Sequence, residues 1–356
     1  MTTALALPST EEEIWRYSRI NELDMSKFVN GKLTTTVEGG EGVQLAGAAA
    51  TALVGAGMHV QPDVFAQLNT DTPDVIALQI AKNKVLSQTV VITHSVDKSG
   101  VVAYPRLIID AAENSEIVVV ERFTSADNVH SLVIPVVEVH AAQSARVTYL
   151  AINELGKNTW QIGHQVAVGE RDSNVRMFTV ALGGDYARVR AEVRLVGQGA
   201  SAQQTALYFA DGSQMHDFRT LQSHEAPRTH SDLLFKGAVK DTSKSVYTGL
   251  IKITENGTKT EAFQTNRTLT LSRGAWAESV PNLEIETNDV KCSHASTVGP
   301  IDDDQRFYLE SRGVPPEVAE RLVVFGFFDE VIDRLPQSEF LAGIRDKVIA
   351  KLGGAK

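Results

Sequence analysis

The sequence predicts a mainly β protein with helical ends, and three observations carry that prediction. From about residue 85 to residue 297, short β-like runs follow one another, punctuated by Gly, Asn, Asp and Ser every ten or so residues. No long helical pattern interrupts them. After Phe307 the apolar spacing changes to that of a helix. A series of short strands without intervening helices fits a sandwich, a barrel or a β-solenoid, and no strict repeat selects among the three.

Taken in order, residues 1–84 form a helical and mixed N-terminal region. Ser9 reads as the cap of a short helix whose first turn carries Glu11, Glu12 and Glu13. A second short helix is expected over Pro62–Asn69, with Pro62 at its first turn. Between them the run Val43–Val60 is uncharged but dominated by Ala and Gly, whereas a lipid-spanning segment needs about 20 strongly apolar residues. Met1–Pro8 lacks the basic start and long apolar core of a secretion signal. The chain is therefore expected to be soluble and cytoplasmic, away from membranes.

Residues 85–304 form the β region. Its clearest runs are Val90–His94, Ile117–Phe123, Leu132–Val139, Arg146–Ile152 and Ala187–Leu195. In the last, Val189, Ala191, Val193 and Leu195 alternate with Arg188, Arg190, Glu192 and Arg194, the period of a strand with one wet face. Residues 305–356 form the helical end. Pro315-Pro316 precede Val318, Leu322, Phe325, Phe328, Val331, Ile332 and Leu335 at helical spacing, and Pro336 ends the run. A second helix begins at Ser338, carries Phe340, Leu341, Ile344, Val348, Ile349 and Leu352, and stops at Gly353-Gly354. Two short helices cannot hide that much apolar surface between themselves. It must pack on the β region or dock a partner.

Charge and motifs exclude several functions. With 34 Lys and Arg against 44 Asp and Glu, the formal charge is −10, which gives phosphate backbones or anionic membranes no general attraction. Nucleic acid is not an expected partner. One cysteine, Cys292, excludes an internal disulfide and fits a reducing compartment. Gly197–Ala202 matches a dinucleotide fingerprint, but Gln203–Phe209 after it reads as a strand rather than the helix start that would hold a pyrophosphate. His224 and His230 are six apart with Pro227 between them, so they flank a turn and do not share a helical face as zinc ligands would. Trp15, Trp160 and Trp276 read as packing residues, and Glu310 and Arg312 as fixing the junction between β region and helices. A β-helical carbohydrate-active enzyme is the remote alternative. It fits poorly, because aromatics are only 6% and no secretion signal is visible.

Recognition becomes specific after His224. The segments Phe235–Val239, Ser245–Ile251, Lys259–Arg267, Pro281–Glu286, Asp289–Gly299 and Phe307–Gly313, with Glu13–Tyr17, Phe65–Asn69 and Leu182–Gly184 upstream, resemble the SufB/SufD family of iron–sulfur cluster assembly scaffolds. Lys291-Cys292-Ser293-His294 sides with the SufD branch, since SufB relatives typically carry Glu-His-Glu where this chain has Cys292-Ser293-His294. A SufB-like or homomeric scaffold is the runner-up. Ala295-Ser296-Thr297 departs from the family's usual Gly-Ala-Thr and puts a methyl group where the backbone is normally bare.

The resemblance implies a right-handed parallel β-helix with helical ends and no catalytic turnover of its own. It implies pairing with SufB along the β-helix edges, and docking of the SufC ATPase through Phe325, Phe328, Val331, Ile332, Phe340 and Ile344 of the C-terminal helices. It allows sulfur donor proteins as further partners, a reduced flavin in the assembled complex, and self-association without SufB. It assigns His294 as this chain's ligand to a transient cluster at the SufB–SufD interface, with Cys292 as a second candidate. The residues agree with a shared site. An iron–sulfur cluster ordinarily takes about four protein ligands, mostly thiolates, and this chain has one thiol. Cys292 and His294 are two apart, so on a strand both point to one face.

Overall fold

The computed structural model of the chain describes residues 6–40, 44–45, 53–55, 63–71, 73–336 and 340–353. It opens with three 3-10 turns (Glu13–Trp15, Ile20–Glu22, Met25–Lys27), the strands β1 (Val29–Asn30), β2 (Thr34–Glu38) and β3 (Gln44–Leu45), and helix α1 (Val64–Asp71). The strand series continues with β4 (Asp74–Ile80), β5 (Val90–Val96), β6 (Val101–Ala103), β7 (Pro105–Ala111), β8 (Glu116–Ser125) and β9 (Ser131–Val133). Next come β10 (Val136–Ala141), β11 (Arg146–Glu154), β12 (Thr159–Gly169), β13 (Asn174–Ala181), β14 (Tyr186–Leu195) and β15 (Ser201–Ala210). It closes with β16 (Met215–His224), β17 (His230–Val239), β18 (Lys244–Ile253), β19 (Thr260–Thr270), β20 (Trp276–Ile285) and β21 (Val290–Gly299). Helices α2 (Asp303–Ser311), α3 (Pro316–Ile332) and α4 (Phe340–Leu352) follow.

Two sheets face each other. One runs β20-β18-β16-β14-β12-β10-β7-β4-β3 and the other β2-β5-β8-β11-β13-β15-β17-β19-β21. From β4 to β21 every described pairing is parallel, so successive strands alternate between sheets and each coil stacks on the last. The chain is a parallel β-solenoid of about 8 turns. Among the described residues no helix is long and apolar enough to cross a membrane.

Inward-facing side chains fill the space between the sheets. In the first coils they are aliphatic, including Leu78, Ile92, Ile109, Val119, Val139 and Val147. Nearer the last coil the filling becomes aromatic and polar, with Tyr208, Phe218, Phe235 and Tyr247 packed together. Burial of such side chains stabilises by about 1.5–3 kcal/mol each and drives the coils to stack. The turns between coils require left-handed backbone at places such as Gly199 (φ +75°), where a Cβ would strike Asp172. Gly197–Ala202 is thus a turn that enters β15, and no helix follows it. His224 ends β16 and His230 begins β17, on either side of a turn.

Several expectations are corrected. The run Leu132–Val139 is two strands, β9 and β10, divided by Ile134 and Pro135, because Pro135 has no N–H to donate. Ser9 heads a turn, with its Oγ accepting from Glu11 N at 3.2 Å, and only a 3-10 turn follows it. Helix α1 is capped by Asp63, whose Oδ1 accepts from Phe65 N and Ala66 N at 3.0 Å. Pro62, Ser338, Gly354 and most of Val43–Val60 lie outside the described residues. Arg188, read as part of a wet face, is buried under the N-terminal segment. Trp276 stands on the outer face of β20 with its ring 5.9 Å from that of Tyr17, and it remains partly exposed.

The C-terminal helices lie along the outer face of the second sheet. Val324, Phe328, Val331, Ile332, Leu335, Ile344 and Val348 are buried against Val120, Leu150, Phe178, Val180, Leu207, Phe209 and Leu234. Of the residues expected to face a partner, Phe328, Val331, Ile332 and Ile344 are therefore spent inside the chain. Phe325 and Phe340 are half-buried at the margin of the same cluster. Lys351 Nζ fixes the end of α4 by bonding Gln214 Oε1 at 2.7 Å and Asp211.

Candidate functional site

The strands β20 and β21 form the last coil, and each has a neighbour on one side only. Their ten-residue edges are open, and the space between the sheets opens beside them as a mouth. Side chains with the parity of Cys292 and His294 face that mouth, as register shows. Cys292 lies opposite Ala262, His294 opposite Gln264 and Ser296 opposite Asn266, all of which point into the solenoid. From β20 the matching positions are Ser279, Pro281, Leu283 and Ile285, opposite Tyr247, Gly249, Ile251 and Ile253.

The structure brings Cys292 and His294 together on one strand face at this opening, in two different environments. Cys292 is half-buried against Ile251, Ile253 and Ala262. Burial pushes its thiol above the usual range, which keeps it protonated and weakens it as a nucleophile or ligand. His294 is exposed. On its other side runs a polar network in which Ser296 Oγ bonds Ser279 Oγ at 2.6 Å, spanning the two sheets. Asn266 Nδ2 donates to Ser279 Oγ at 2.9 Å. Among the described residues, no three His, Cys, Asp or Glu side chains gather where they could hold a metal ion. One imidazole and one thiol are thus what this chain offers at the opening, and both are borderline or soft donors suited to iron.

The sequence names Cys292 and His294 on their own strand but not the side chains that stack beside them. Gln264, Asn266, Ser279 and Pro281 come from two other strands, and only the coil register brings them beside residues 292–296. Away from the mouth, Glu310 interacts with Arg306 at 3.6 Å within α2, and the Arg312 guanidinium lies 5.3 Å from the Tyr308 ring centroid.

Comparison with known proteins gives the same direction. The family model described as SUF system FeS cluster assembly, SufBD core domain, matches residues 93–327. An iron–sulfur cluster assembly SufBD family protein of Mycobacterium tuberculosis is 35% identical, over 98% of this chain and 89% of that one. The iron–sulfur cluster assembly protein SufD of Escherichia coli is 26% identical, over 98% of this chain and 89% of its own length. SufD of Bacillus subtilis is 28% identical over 77% of this chain and 62% of that protein. The chain belongs to the SufBD family of the SUF system for iron–sulfur cluster assembly, alongside its SufD members.

Proposed function

We propose that this chain is a non-catalytic scaffold subunit that supplies half of a site for building an iron–sulfur cluster, with His294 as its ligand. The observation that carries the reading is the position of His294. It stands on the last, one-sided coil, facing an opening that a second solenoid could close, with too few donors beside it among the described residues to complete a cluster's shell. A chain that laid its own terminal strands against β20 and β21 would satisfy their open edges and bring the missing ligands. A SufB chain is that partner. Cys292 is the lesser contributor, since its raised thiol must lose both a proton and apolar contacts before it can ligate.

The cluster is cargo here, held while the interface is closed and passed on when it opens. The SufC ATPase would supply that motion from the helical end. Its docking face would be the exposed set Phe307 (70% exposed), Tyr308 (58%) and Leu322 (49%) on α2 and α3, rather than the residues packed beneath those helices. A single pairing of SufC with this end would couple hydrolysis to the coil that bears His294, because α2 begins four residues after β21 ends.

Replacing His294 with Ala should leave the thermal midpoint and SufC capture unchanged. It should abolish cluster assembly in cells that depend on this pathway. Full complementation by the variant would remove His294 from the site. Size measurement of the chain with and without SufB separates the heteromeric scaffold from a homomeric one that closes the same mouth.

A further inference from the structure

Beneath the mouth lies a buried side chain with nothing to bond. Gln264 is 2% exposed, and neither its Nε2 nor its Oε1 has a hydrogen-bond partner. Leaving buried polar atoms unpaired costs about 1–3 kcal/mol per group. Several polar groups around it are occupied elsewhere. Asn266 bonds Ser279 and accepts from the Tyr208 hydroxyl at 3.3 Å, and the Tyr247 hydroxyl lies 3.0 Å from Thr220 Oγ1. Gly249 keeps the space clear, since a Cβ there would lie 2.5 Å from Gln264 Nε2 and also strike the Tyr247 hydroxyl. The carboxamide therefore reaches across from β19 toward β18 and forms the floor of the mouth.

Directly opposite Gln264 in the parallel ladder is His294. In-register side chains on one face of neighbouring strands stand about 4.8 Å apart at their backbones, within reach of one another. We propose that Gln264 is a positioning residue for His294. Its Oε1 accepts the N–H of the neutral imidazole and holds one tautomer, so that the lone pair of the other ring nitrogen faces out of the mouth. The inference rests on the reading of His294 as a ligand. An imidazole that binds metal ordinarily donates its second N–H to a fixed acceptor, which sets both ring orientation and tautomer. The coupling itself needs no cluster: it needs only that the carboxamide, unbonded in the structure, turn toward His294.

The test uses the full chain labelled with 15N in histidine and glutamine side chains. Ring nitrogen shifts of His294 report its tautomer ratio in the neutral imidazole. Gln264→Leu should change that ratio by about fivefold, the effect of one ordinary buried hydrogen bond, while the thermal midpoint changes little. In a second measurement that leaves the core intact, His294→Ala should move the Gln264 side-chain amide resonances. This second result decides the matter should Gln264→Leu fail to fold. Unchanged tautomer ratio with Gln264→Leu, or Gln264 resonances unmoved by His294→Ala, overturns the proposal. Full complementation by His294→Ala would instead overturn the ligand role and leave the tautomer result standing.

Discussion

Asp217 is completely buried and serves three partners, two of them on the neighbouring strand β14 and far from it in sequence. Its carboxylate accepts from Arg188 Nη1 at 2.5 Å, from Arg219 Nε at 3.0 Å and from the Tyr186 hydroxyl at 3.0 Å. Arg188 in turn donates to Ile14 O at 2.6 Å and lies 3.9 Å from the Trp15 ring centroid, and Arg219 donates to Arg16 O at 2.6 Å. The group clamps the N-terminal segment to the first sheet. Asp217→Ala would leave a buried guanidinium without its counter-charge, a loss of about 3–5 kcal/mol. Urea unfolding should show it as a lower midpoint at unchanged slope, and a loss below about 1 kcal/mol would refute the clamp. A gentler charge group sits on the outer face, where His140 donates to Asp110 Oδ1 and Glu170 Oε1, each at 3.0 Å. The hydrogen bond to Asp110 leads the causes that raise the His140 imidazole from 6.5 to about 9, and burial opposes it. A raised value means that the pairing stabilises the fold fully below pH 6.5 and is lost as pH rises through about 9. Asp110 is lowered by the same bond, so on the acid side the contribution fades as its carboxyl protonates. His140→Gln should therefore lower the thermal midpoint near neutrality and make no difference above pH 9. The effect is small because the histidine is partly exposed and screened. An equal effect at both pH values would show that lost packing, not charge, is responsible. Arg188 also marks a limit of reading by alternation. Its place opposite the apolar positions of β14 was legible, but what covers it comes from residues 14–15 and 217, which no local pattern links to it.

At the scale of elements, legibility followed the apolar stripe. Helices α3 and α4 were visible because Phe328, Val331, Ile332, Ile344 and Val348 recur at helical spacing and are the residues that bury. Helix α2 was not, because none of its residues is buried. It is held by Asp302, whose Oδ1 accepts from Asp304 N at 2.9 Å and Gln305 N at 3.2 Å. The pattern also could not tell an apolar face that packs at home from one that waits for a partner. That distinction sets the docking test. Removing residues 337–356 strips Ile344, Val348 and Lys351 from the solenoid wall, and should lower the thermal midpoint and expose a dye-binding surface whether or not a partner docks there. Phe307→Ser with Tyr308→Ser touches only exposed side chains. Stability should then change by no more than about 0.5 kcal/mol, while SufC capture falls by at least about tenfold. Capture unaffected by the pair would move the docking face elsewhere.

At the scale of the whole molecule, the coil length explains why a solenoid hid in its own sequence. Trp160 pairs with Tyr186, 26 positions on, whereas Lys244 pairs with Trp276, 32 positions on. Turns absorb the difference while the strands stay in register, so no fixed period survives for the eye to find. The same variation concealed which residues share the mouth. His294 was singled out by the family resemblance of its segment, but Gln264 and Pro281 could be placed beside it only once the coils were stacked. In a stack where each coil touches only its neighbours, the last coil has half the support of the others. Amides of Val290–Gly299 should therefore exchange hydrogen faster than those of β15–β18, and a bound SufB chain should slow them. Uniform protection along the stack would contradict a frayed open end. The two ends of the stack also differ. Among the described residues, the far end of each sheet is a short reversed strand, β2 or β3, antiparallel to its neighbour. Short edges of opposite sense are poor templates for another chain, whereas the ten-residue edges of β20 and β21 are good ones. A rod that was sticky at both ends would grow head to tail without limit, and among the described residues this one has long parallel open edges at one end. Were that edge alone to pair, growth would stop at the first addition, which favours two solenoids over a filament.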